Sequence, residues 1–175
     1  AGTIILLSAI VLWFLQGFGV ENGSFGMVSD LNNSILAVIG SGIAWIFSPL
    51  GWGNWQSAVA SITGLIAKEN VVGTFGVLYG GFEEVAENGW QIWANMRAAF
   101  TPLSAYSFLM FNLLCAPCFA AMGAIKREMN SAKWTWFAIG YQCVFAYATS
   151  LCIFQLGTLF TGGGFGVFTA IAILV

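Results

Sequence analysis

Residues 102–125 read PLSAYSFLMFNLLCAPCFAAMGAI, with no charged side chain among them. About 20 helical residues at 1.5 Å each cross the roughly 30 Å core of a bilayer. The stretch is therefore long enough to span a membrane as a helix. Pro117 interrupts it, because proline removes a backbone N–H and crowds the preceding turn. A second run of this kind, Trp134–Leu159, follows a short basic loop holding Lys126, Arg127, Glu128 and Lys133. The whole chain has the same character. Of its 175 residues 59% are apolar before its 22 glycines are counted, whereas a soluble domain reaches about 45–50% with glycine included. Charged residues are 7% against about 25% in soluble domains, too few to coat a water-soluble fold. Disordered chains are polar and poor in aromatics, and a nucleic-acid binder needs a basic surface, which a net charge of −2 does not supply. An all-α, polytopic transmembrane helix bundle remains, with the lipid bilayer as its partner and no nucleic acid.

Outward from that centre the chain reads as one membrane domain over 1–175. Ala1–Gly19 is a first span ending in Trp13, Phe14 and Phe18, with no basic region to make it a signal peptide. Glu21–Asn33 is a polar loop. Ile35–Phe47 is apolar but only 13 residues long, which suits a half-span or re-entrant segment. Ser48-Pro-Leu-Gly-Trp-Gly53 breaks it. Trp55–Tyr79 is expected to be one long helix, and 80–101 a loop carrying Glu83, Glu84, Glu87 and Arg97, with Trp90 and Trp93 as interface anchors. Thr161–Gly164 is a hinge and 165–175 a truncated last span, so the chain reads as an excerpt of something longer. Three of the five basic residues fall between Lys126 and Lys133. The positive-inside rule then makes loop 126–133 cytoplasmic and loop 80–101 external.

Three places invite chemistry. There is no histidine, which removes imidazole catalysis and the commonest metal ligand. Lys68-Glu69-Asn70 falls at the centre of the expected 55–79 helix, where each charge costs roughly 2.5–3.5 kcal/mol to insert. The residues read either as a latch between helices or as part of a pathway or gate. Cys115-Ala-Pro-Cys118 lacks the soluble context of a redox CxxC and has no second CxxC to complete a zinc site. It reads as thiols packed beside a proline kink or as a soft metal contact. Pro117 frees a carbonyl near Leu113, and broken helices with freed carbonyls mark ion sites in transporters. If near-helical geometry continues, Asn112, Cys115, Cys118 and Met122 share an arc of about 120°. On the next helix Cys143, Tyr147 and Ser150 lie within about 40°, flanked by Gln142 and Thr149, and read equally as helix–helix glue and as pathway lining. No GxxxxGK[ST] loop exists, so the segment is expected not to bind nucleotide by that mechanism.

Several motifs, taken together, resemble the second gate segment of the bacterial ferrous iron transport protein B family. They are Gly53-Asn-Trp-Gln56, Ala67-Lys-Glu69, Gly76-Val-Leu-Tyr-Gly80, Phe100-Thr-Pro-Leu-Ser-Ala-Tyr-Ser-Phe108, Asn112-Leu-Leu-Cys-Ala-Pro-Cys118 and Ala124-Ile-Lys-Arg-Glu128, followed by the helix with Tyr141-Gln142. The resemblance covers nearly the whole chain. It implies the C-terminal gate half of a membrane domain that carries Fe²⁺ inward across the bacterial inner membrane. An N-terminal G domain and a first gate half are implied as partners upstream, so this segment itself is expected to bind no GTP and to be no enzyme, and a small cytosolic accessory protein and a homo-oligomer are admitted as further partners. Cys118 matches the family's Pro-Cys position and Cys115 is an addition. On this reading Cys118, with Cys115 and the Leu113–Leu114 carbonyls, strips part of the hydration of Fe²⁺, while Lys68 and Glu69 form a gate or charge barrier. Asn70, Asn112, Gln142 and Cys143 complete the pathway. Two other readings remain: a gate-type transporter of nucleosides or another small polar solute, and a membrane assembly subunit that transports nothing.

Overall fold

The computed structural model describes residues 7, 10–11, 13–15, 17–21, 24–27, 34–64, 68, 70–80 and 93–174. It is a helical bundle with one small hairpin. Most of the expected first span lies outside the described residues. Its last two residues are extended, because β1 (Phe18–Glu21) pairs antiparallel with β2 (Ser24–Met27), Gly19 opposite Gly26. The polar loop expected over 21–33 therefore begins inside a hairpin. Its sequence signal is Asn22-Gly23, the pair that two-residue hairpin connections favour.

Helix α1 (Ile35–Phe47) starts where Ser34 Oγ accepts the Ala37 N–H at 3.1 Å. It runs into a 3₁₀ turn, Ser48–Leu50, and the chain then bends by 97° into α2 (Trp55–Thr63). Asn54 caps α2, its Oδ1 accepting the Ser57 N–H at 2.8 Å. This bent pair is the short broken segment expected from residues 35–53. Gly51 is required at the elbow. Its φ is +89°, and a Cβ there would overlap the Phe154 ring.

The single helix expected over 55–79 is instead two, α2 and α3 (Asn70–Gly80). Thr63 ends α2, and its Oγ1 meets Thr74 Oγ1 at 2.9 Å. A Cβ on Gly64 would sit 2.8 Å from Val71. The two helices thus lie side by side, which a continuous helix forbids, and Lys68 sits in the turn between them rather than in mid-helix. Part of the loop expected over 80–101 is helical as α4 (Trp93–Ala99), where the Arg97 guanidinium lies 5.6 Å from the Trp93 ring centroid. Residues 81–92, with Glu83, Glu84, Glu87 and Trp90, lie outside the described residues.

The proline break is present. Helix α5 (Pro102–Leu114) opens with a Thr101/Ser104 capping box and ends at Cys115, and α6 (Phe119–Met129) starts from Cys118. Lys126 and Arg127 are the last turn of α6 and Lys133 belongs to α7, so the basic loop shrinks to a turn through Asn130, which is left-handed at φ 45°. α7 (Ala132–Phe160) has 29 residues, about 44 Å. α8 (Val167–Leu174) returns along it. By length and composition α5–α6 and α7 can each cross a membrane, and the bent α1–α2 pair is a broken third.

The core gathers where α5 and α7 pack on the elbow. Leu50 and Trp52 are fully buried. Trp52 stacks on Phe47 at 4.5 Å and meets Phe108 edge-on at 5.0 Å, and Phe75 and Phe100 extend the cluster. Offset and edge-on aromatic pairs add about 0.5–1.5 kcal/mol each beyond their buried area.

Candidate functional site

A membrane tolerates irregular backbone only where the protein satisfies it. At the elbow it is satisfied in full view. Tyr147 Oη donates to Ile46 O at 2.7 Å, Gln155 Nε2 to Pro49 O at 2.6 Å, and Ser107 Oγ to Leu50 O at 2.9 Å. Ser107 and Ser150, both wholly buried, bring their hydroxyls to 2.7 Å, and Ser150 Oγ donates to Ser107 O at 2.9 Å. α5 and α7 thus grip the elbow through neutral polar side chains. The Tyr147–Ser150 part of the expected stripe serves as glue.

The second irregular region is the 115–118 break, which Lys68, in the turn between α2 and α3, and Ser61 of α2 approach from the other side. A helix leaves its last carbonyls without intrahelical partners. At the end of α5 the Cys115 N–H reaches Phe111 O at 2.8 Å. The Asn112 carbonyl cannot be bonded onward in the same way, because the chain has left helical geometry by Ala116. The Lys68 ammonium donates to that carbonyl. Asn112 also reaches across with its side chain, whose Nδ2 donates to Phe108 O at 2.9 Å and to Ser61 Oγ of α2 at 3.4 Å.

Of the sulfurs, Cys115 and Cys143 face each other across α5 and α7 with Sγ atoms 3.9 Å apart. Cys118 stands at the start of α6 and makes no side-chain capping bond. The single arc expected for Asn112, Cys115, Cys118 and Met122 is absent. Cys115 (ψ 166°) and Cys118 (ψ 158°) are both extended. Pro117 pushes the residue before it out of helical geometry and withholds its own N–H. Among the described residues, no three Cys, Asp or Glu side chains gather closely enough to hold a metal ion. The Gln142 side-chain oxygen is buried with no hydrogen-bond partner. Glu69 lies outside the described residues. Asn70 opens α3, but its side chain lies outside them too.

Sequence reasoning missed Ser107 and Gln155 as supports of the elbow, although each is a polar residue inside an apolar helix. It also missed that the thiol partner of Cys115 is Cys143, a pairing set by helix register.

The sequence model of the family described as "Gate: Nucleoside recognition" matches residues 1–132. The chain is similar to the Fe(2+) transporter FeoB of Methanocaldococcus jannaschii, 40% identical over 164 residues, and to that of Staphylococcus aureus strain COL, 35% identical over 164. A Porphyromonas gingivalis Fe(2+) transport protein A/Fe(2+) transporter FeoB fusion protein is 29% identical over 198 residues. Each match covers 91% of this chain and 23% of the relative, so the chain spans about a quarter of the length of these proteins. No solved structure matches. On its helices, its broken segments and these matches, the chain belongs to the Gate (nucleoside recognition) family, in the form carried by the ferrous iron transport protein B family.

Proposed function

We propose that this chain is the membrane-embedded, C-terminal gate portion of a ferrous iron transporter. It moves Fe²⁺ inward across the cytoplasmic membrane, with the Lys126–Lys133 turn on the cytoplasmic side. The observation that supports the reading is the interruption of an apolar helix long enough to span a membrane, with thiols at the break: Cys115 closing α5, Cys118 opening α6 and Cys143 across from Cys115. Neutral thiols and carbonyls hold a cation weakly, which suits passage rather than storage. Sulfur favours a borderline ion such as Fe²⁺ over Mg²⁺ or Ca²⁺. In this reading GTP chemistry belongs to a G domain elsewhere in the full-length protein, and this segment performs none. The fused transport protein A of the P. gingivalis relative supports a small accessory partner.

A second reading has one observation in its favour. The buried Gln142 oxygen is an acceptor without a donor, which a nucleoside or another polar solute could supply. One assay decides between the two: uptake of Fe²⁺ and of nucleosides by vesicles holding the full-length protein. Fe²⁺ uptake is expected. Cys118→Ser lowers it several-fold at unchanged protein level, Cys118→Ala lowers it further, and Cys115→Ser has a smaller effect. A Cys118→Ala protein that matches the parent at limiting iron removes the thiol from the path, and nucleoside uptake without iron uptake replaces the cargo.

A further inference from the structure

Among the described residues, the donor set around the Asn112 carbonyl carries no negative charge, yet it holds a positive one. Asn112 O, Ser61 Oγ and the Cys115 and Cys143 thiols are all neutral groups. The described partner of the Lys68 ammonium is a carbonyl. That carbonyl lies at the C-terminal end of α5, where the aligned peptide dipoles concentrate a partial negative charge equivalent to about −0.5. The same two features, an orphan carbonyl and a helix C-terminus, are what a discontinuous membrane helix offers a transported cation. Lys68 reaches them from the turn between α2 and α3, an element separate from α5. An ammonium and a divalent ion on one carbonyl oxygen would stand side by side and repel each other strongly in a low-dielectric site.

We propose that Lys68 is a tethered resident cation. Its ammonium occupies the Asn112 carbonyl in this conformation, and a divalent cation in transit takes that carbonyl only by displacing it. The identity of the cargo rests on the iron reading above, whereas the displacement does not. A tethered group competes at a high effective concentration, so it weakens apparent affinity for the ion without contributing a ligand. Lys68 is then a specificity device. An ion that binds the carbonyl and thiols too weakly fails to evict it.

The test uses the full-length transporter in proteoliposomes, with initial Fe²⁺ uptake measured against Fe²⁺ concentration for the parent, Lys68→Gln and Lys68→Arg. Lys68→Gln is expected to lower KM at least threefold. Added ethylammonium should raise its KM again while leaving the parent's unchanged. Lys68→Arg keeps a cation in place and should hold KM at or above the parent's. A KM for Lys68→Gln equal to or above the parent's, or indifference of that variant to ethylammonium, overturns the inference. If Lys68→Gln does not accumulate in the membrane, Lys68→Arg decides, and a KM below the parent's overturns it.

A second arm needs no transport. Cys115 is modified by a trimethylammonium-ethyl and by a neutral methyl methanethiosulfonate, and the modified peptide is identified by mass spectrometry. Both reagents require the same thiolate, so the ratio of their rates reports the local potential alone. The cationic-to-neutral ratio should rise at least threefold in Lys68→Gln and stay near the parent value in Lys68→Arg. An unchanged ratio overturns the inference whatever the cargo. A raised ratio in a protein that takes up no Fe²⁺ upholds the displaceable ammonium and rejects iron.

Discussion

The elbow at residues 46–54 and the break at 115–118 are both interruptions of apolar helices, both contain a proline, and they are finished in opposite ways. At the elbow three carbonyls receive donors from Tyr147, Gln155 and Ser107, and Leu50 and Trp52 are sealed in the core. At the break a charged side chain serves the carbonyl, Cys118 caps nothing, and Leu113 is 72% exposed. The difference lies in what the donor can do. A neutral hydroxyl or amide packed on a neighbouring helix makes a permanent joint, because leaving its acceptor bare inside the protein costs about 1–3 kcal/mol. A lysine on a flexible stem makes a joint that a competing cation can open.

Substitutions at three places test that contrast. The largest effect is expected at Gly51, where an alanine must adopt φ +89° and overlap Phe154. Gly51→Ala should destabilise the protein by about 2–4 kcal/mol, read as a lower midpoint of thermal unfolding in detergent, with transport lost in proportion. Transport lost at an unchanged midpoint would make the elbow a working site and erase the contrast.

A smaller effect belongs to the serine pair. Ser107→Ala and Ser150→Ala should each cost about 1–2 kcal/mol. Their coupling in a double-mutant cycle should be close to 1 kcal/mol, in the range found for hydrogen bonds between membrane helices. Additive losses would show that the 2.7 Å hydroxyl contact contributes nothing between α5 and α7.

The smallest effect is expected at Cys152, which lies at neither interruption and donates to Ala172 O at 3.3 Å. Serine keeps a donor there, so Cys152→Ser should shift stability by less than about 0.5 kcal/mol and leave iron uptake at the parent rate. A several-fold fall in uptake would mean that thiols matter in this protein wherever they stand, and the position of Cys115 and Cys118 at a break would lose its meaning.

What could be read from residue order was whatever composition and local chemistry decide. The run over 102–114 carries no charge, the 29-residue α7 carries one at its start, and Pro117 announces its own break. The short 35–47 segment declared itself by length. The division of 55–79 did not, because nothing between Trp55 and Tyr79 breaks a helix as strongly as proline. It depends on Thr63 meeting Thr74 and on the close approach at Gly64, both consequences of packing. For the same reason Lys68 was expected at mid-helix, with no partner that sequence could name. Two of the motifs that carried the family resemblance act as helix starts, Asn54 for α2 and Thr101 for α5. Cys115 was expected to work with Cys118, three positions along. Its observed neighbour Cys143 is 28 residues away, beyond any spacing rule.

Tyr147 and Gln155 lie eight positions apart on α7, about 12 Å along its axis, and both are fastened to the elbow. Two bolts that far apart resist rotation as well as sliding. The α1–α2 elbow and α7 are therefore one mechanical unit, with no hinge between them. In the gate proposed above, the long helix is then the fixed frame, and α6, which the chain joins to α5 through residues 115–118, is the half-length piece placed to shift against it.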